Sequence, residues 1–147
     1  MANEFHLEKI AEIYNRDPIV GGYMIGVSEI LSRGIENYLE DNKFYNKSFD
    51  ILLRNLVDFY VTLENHFGEL RFRGLYKKMK NFGTNFESSL ERLTLNESNP
   101  VLKSIHTVAE DTTNSFRDSG VYDSLLLDGL YKKTLASCIL LYDALKK

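Results

Sequence analysis

Cysteine occurs once in the 147 residues, as Cys138. No intrachain disulfide and no cysteine zinc cluster can form. No apolar run reaches the roughly 18 residues of a membrane span, so no membrane segment is expected. The opening MANEFHLEKIAEIYNRD alternates charge with apolar residues. It lacks the uninterrupted apolar stretch of a secretory signal, which makes the cytoplasm the expected location. Net charge is only -3, too small for general attraction to nucleic acid and adequate for solubility. Hairpin signals are missing as well. The one Asp-Gly pair, Asp128-Gly129, lies inside a helical pattern, so no β-strand is expected.

Proline occurs twice, as Pro18 and Pro100. Asp17-Pro18 and Asn99-Pro100 each read as an N-cap followed by the first helical position, where a missing N–H costs nothing. Thr84-Asn85-Phe86-Glu87 has capping-box spacing, and Gly83 before it suits a helix end. Ser48 is a further candidate N-cap.

What is present is an ordinary globular balance, 44% hydrophobic and 27% charged, in a chain long enough to bury a core. Apolar periodicity places a helix over about 4–16 with Ile10, Ile13 and Tyr14 inward. A second over about 18–40 turns Val20, Tyr23, Met24, Val27, Ile30, Leu31, Ile35 and Tyr38 to one face. Phe49, Leu52, Leu56, Tyr60, Leu63, Phe67 and Leu70 share a face. Phe72, Leu75, Tyr76, Met79 and Phe82 share another, displaced by roughly 150°. One straight helix cannot bury both, and Gly68 and Gly74 bracket the change, so a break is expected between 67 and 74. A helix over about 100–117 buries Val101, Leu102, Ile105, Val108, Ala109, Thr112 and Phe116.

The last helix, about 121–145, is apolar almost all round, with Asp128, Lys132, Asp143 and Lys146 on one narrow seam. Such a helix is wrapped by others or forms half of an oligomer interface. Leu126, Leu130, Leu140 and Leu141 are the candidate interface. The expectation is one all-α domain, residues 1–147, a bundle of about six helices, with this helix at its centre or in a homo-oligomer.

Chemistry finds little to build on. Of His6, His66 and His106, none follows a carboxylate by three residues, as di-iron bundles require. His66 and Glu69 lie one turn apart if helical, but a single such pair is no metal site. His106 is a conceivable axial haem ligand on the flank of its helix, with no other feature to support it. No metal and no cofactor is expected. Glu8/Glu12, Glu36/Glu40 and Glu87/Glu91 have the spacing of magnesium–phosphate sites, but Glu36 and Glu40 fall on a polar face and read as solvated. Cys138, within ASCILL, reads as a buried inert thiol. Phosphate-loop and serine-hydrolase motifs are absent, and Val20–Gly26 follows no strand. Gly22 and Gly26 form a small-x-x-x-small pair on the flank of the second helix, where backbones could approach closely.

One segment stands out by charge. ELRFRGLYKKMK, residues 69–80, holds five bases and one acid. Arg71, Arg73, Lys77, Lys78 and Lys80 interleave with Phe72 and Tyr76, the composition of an anion- or nucleic-acid-binding surface. On a helix they would equally flank an apolar stripe and snorkel. The function expected from the whole is therefore a non-enzymatic helical module that associates with itself or another protein. The alternative is a small nucleic-acid- or anion-binding protein using residues 69–80.

Overall fold

The computed structural model describes residues 2–39, 45–80 and 100–145. The fold is all-α. Among the described residues there are six helices: α1 Ala2–Arg16, α2 Pro18–Leu39, α3 Tyr45–Phe67, α4 Leu75–Lys80, α5 Pro100–Asp118 and α6 Ser124–Ala144. No strand occurs among them, only an isolated bridge between Phe72 and Leu145. The chain divides into two compact units, Met1–Val57 and Asp58–Lys147, and the boundary falls within the continuous helix α3. The capping box at 84–87 and the helix ends expected near 83 and 96–99 lie outside the described residues.

Within the first unit α1 packs on α2. The corner between them is the one the sequence expects: Asp17 accepts the Val20 N–H at 3.3 Å through Oδ1 and Pro18 opens α2. Ile10 and Ile13 are buried, but Tyr14 stays 48% exposed. On α2 the buried stripe is Val20, Tyr23, Met24, Val27, Ser28, Leu31, Ser32 and Ile35, while Ile30 is 67% exposed. The stripe runs toward the two serines rather than the isoleucine. Ser28 tolerates this because its hydroxyl donates to the Met24 carbonyl at 2.8 Å. Gly22 and Gly26 are not where the backbones meet. Gly21 is: a Cβ there would lie 2.6 Å from the Tyr14 Cα.

α3 starts at Tyr45, so Ser48 is a buried residue inside the helix and not its cap. The helix is covered more widely than one stripe. Ile51, Leu53, Val57 and Phe59 are buried beside Leu52, Leu56, Tyr60 and Leu63. It ends at Phe67, as the phase change requires. Gly68 donates to the Glu64 carbonyl at 2.8 Å with φ of 77°, the left-handed stop that glycine adopts without strain.

In the second unit the most extensive helix pairing is α5 on α6. α5 ends in a Schellman motif. Val121 N–H reaches the Phe116 carbonyl at 3.0 Å, Gly120 N–H reaches Arg117 at 3.1 Å, and Gly120 has φ of 103°. Val121 and Phe116, both buried, supply the apolar contact that accompanies such a stop. The cap of α6 is Asp123, which accepts the Leu126 N–H at 2.9 Å through Oδ1. Asp123→Ala is expected to cost about 1 kcal/mol. Urea unfolding checks this, with a lower midpoint and an unchanged slope.

α6 is the wrapped helix of the two alternatives. From Thr134 to Tyr142 every residue is buried. Leu130, Leu140 and Leu141 are 3%, 2% and 0% exposed, enclosed by the chain itself. Only Leu126 of the four candidate interface leucines is partly accessible. Ser137 donates to the Lys133 carbonyl at 2.7 Å, whereas the buried Thr134 hydroxyl has no partner among the described residues.

Candidate functional site

The basic segment is not a helix along its length. Between Gly68 and Gly74, both with positive φ, the chain is extended, and α4 begins only at Leu75. In extended chain side chains alternate. Leu70 is buried and Phe72 half-buried, while Arg71 and Arg73 project into solvent. The helical snorkelling arrangement therefore does not apply to these two arginines. Lys77 is exposed in the first turn of α4. The side chains of Lys78, Met79 and Lys80 lie outside those described.

The extended piece is clasped to the end of α6. Arg73 N–H donates to the Ala144 carbonyl at 2.6 Å, beside the Phe72–Leu145 bridge. The Phe72 ring stacks on Tyr60 at 6.2 Å, and Phe67 meets Tyr142 at 6.3 Å. A carbonyl left over at a helix C-terminus is thus satisfied by main chain. The outer side of the clasp carries Arg71, Arg73 and Lys77 with Tyr76, which is 57% exposed.

A second surface lies on the first unit. Leu7, Ala11 and Tyr14 recur at helical spacing on α1 and are exposed. Tyr14 lines an open, mostly apolar groove of about 310 Å³ with Ile10, Ala11, Asn15 and Ile25. Around α2, Ile19, Gly22, Gly26 and Ile30 form a further outward stripe, with Ile19 51% exposed. From Pro18 to Ser28 the sequence holds no charged residue. That run was the available signal for this face.

Reactive groups do not converge. Among the described residues no three His, Cys, Asp or Glu side chains come together. α3 ends between His66 and Glu69, so the helical spacing that would pair them is lost. His66 is exposed, with its ring edge-on to Phe67 at 4.6 Å. The side chain of His6 lies outside those described. His106 is half-buried, and its Nδ1 lies 3.1 Å from the Tyr131 hydroxyl, joining α5 to α6. Burial, reinforced by the Glu110 carboxylate, raises the Tyr131 phenol above its ordinary value. Cys138 is buried, and burial alone pushes its thiol up, away from the reactive thiolate.

An open groove of about 410 Å³ follows the α5–α6 corner, lined in part by Arg117, Tyr122, Ser124, Asp128 and Tyr131. Its charges are already engaged locally. Lys132 meets Asp128 at 3.0 Å, and Arg117 donates to Asn114 at 3.1 Å. It presents neither a nucleophile–base pair nor a field of one sign.

Of the acidic pairs, Glu8 and Glu12 are exposed, with Glu12 held by Lys9 and Arg16 at 3.4 and 3.3 Å. Glu36 is half-buried; Glu40, Glu87 and Glu91 lie outside the described residues. No helix among the described residues is long and apolar enough to cross a membrane. Comparison with protein families, with characterised proteins and with solved structures finds no match for this chain, so its function is read from its own residues.

Proposed function

We propose that the protein is a helical association module and that its docking surface is the α1–α2 face, with a second copy of the chain as its partner. The observation that carries the reading is the set of large apolar side chains left in solvent there: Leu7, Tyr14, Ile19 and Ile30. Leu7 and Tyr14 lie on α1, Ile19 lies within the charge-free stretch of α2 and Ile30 lies just past it, and soluble monomers rarely leave large apolar surface uncovered. Self-association about a twofold axis is the commonest way to cover one. The α6 leucines favour this role less, because Leu130, Leu140 and Leu141 are buried and only Leu126 is partly accessible.

Sedimentation over a wide concentration range tests the proposal. The expected result is a mass that rises with concentration and changes little with salt. Ile19→Glu combined with Ile30→Glu should yield a monomer at every concentration with its helical circular dichroism intact, since both positions are exposed. A wild-type chain that remains monomeric throughout defeats the reading.

A further inference from the structure

We propose that the clasp over residues 70–77 binds single-stranded nucleic acid, with Arg71, Arg73 and Lys77 on phosphates and Tyr76 as a stacking platform. This stands on observations independent of the α1–α2 face. The extended chain separates the two kinds of side chain in this segment: Leu70 and Phe72 inward, Arg71 and Arg73 outward. Two residues of extended chain span about 6.6 Å. Successive phosphates of an extended single strand are spaced similarly, so both guanidinium groups can meet one backbone. Glu69 bounds the cationic row at its N-terminal end.

The cations are available. Arg16, Arg33 and Lys132 are each paired with an acid one turn away. Arg71, Arg73 and Lys77 have no ion pair among the described residues. Their structural duty toward α6 is discharged by main chain, through the Arg73 N–H and the Ala144 carbonyl. The guanidinium and ammonium groups are not needed for it. Tyr76 adds an exposed ring directly beside Lys77, and His66 and Phe67, the latter 40% exposed, bring further ring surface at the end of α3. Exposed rings among cations serve unstacked bases, because each base offers a π-face. A duplex hides those faces and is read by an element laid in a groove, and the six-residue α4 is short for that purpose.

Fluorescence anisotropy with labelled oligothymidylate tests the proposal on the full chain. At low salt the wild type should bind, and three phosphate contacts predict an affinity loss of about 100-fold for a tenfold rise in salt. Arg71→Ala, Arg73→Ala and Lys77→Ala together should abolish binding. Tyr76→Ala alone should weaken it about tenfold or more. All four positions are exposed, so both variants should keep the wild-type helical signal. Heparin separates stacking from bare charge: it should compete weakly and be indifferent to Tyr76→Ala. Absence of wild-type binding at low salt overturns the proposal. So does a Tyr76→Ala variant that binds oligothymidylate as the wild type does, since the surface would then attract any polyanion.

Discussion

Leu140→Asp should leave the chain without helical signal at 25 °C. Leu140 is 2% exposed in the middle of an uninterrupted buried run of α6. Truncating such a leucine costs about 2–5 kcal/mol. An unpaired carboxylate at the same place adds several kcal/mol more. A domain's whole stability is about 5–15 kcal/mol. The two costs together reach that total, so far-ultraviolet circular dichroism should report an unfolded chain. Leu125→Asp is the matched control, in the first turn of α6 two residues after its cap and 84% exposed. It should shift stability by no more than about 0.5 kcal/mol. A folded, monomeric Leu140→Asp protein would mean that this flank is a surface after all, and would return the α6 leucines to the role of interface.

Substitution of Gly21, Gly22 and Gly26 of α2 by alanine should give opposite signs. All sit in the same helix, so intrinsic propensity favours alanine at each by about 1 kcal/mol. Space decides the difference. At Gly21 the added Cβ would lie 2.6 Å from the Tyr14 Cα and 2.8 Å from its Cβ. The obstacle is main chain, which cannot rotate away, so α1 must be pushed off α2. Overpacking of this kind costs about 1–3 kcal/mol and outweighs the propensity gain. Gly22 and Gly26 have nothing within 4 Å of the new methyl. Thermal melts of dilute protein should show Gly21→Ala lowered, and Gly22→Ala and Gly26→Ala raised by about 0.5–1 kcal/mol. A stabilised Gly21→Ala protein would show that the α1–α2 contact is looser than its geometry.

The basic clasp was half legible. Composition identified Arg71, Arg73, Lys77 and their aromatic neighbours, but a helical wheel was the wrong frame for ELRFR. Its period-two alternation was readable, and two glycines already marked the helix break. Nothing local said that the extended piece would be held by the far end of the chain, through Leu145 and the Ala144 carbonyl. The apolar face of α1 and α2 was less legible still. Tyr14 and Ile30 fit their helices' apolar stripes, and only the position of neighbouring helices decides which edge of a stripe is covered.

Local chemistry determined the all-α class and most described helix ends. Asp17-Pro18, the Gly68–Gly74 phase break and the Ser119-Gly120 stop act within a few residues, through caps, fixed φ and glycine's left-handed conformation. Such signals are complete in the sequence because both partners of each interaction lie in the same turn. Tertiary structure alone decided that α6 is enclosed, that Gly21 rather than Gly22 or Gly26 is the close contact, and that Ile30 gives way to Ser28 and Ser32. Each depends on which element lies opposite. An apolar residue gains the same transfer free energy against any apolar neighbour, so periodicity fixes which side of a helix is apolar and leaves the choice of what covers it to packing.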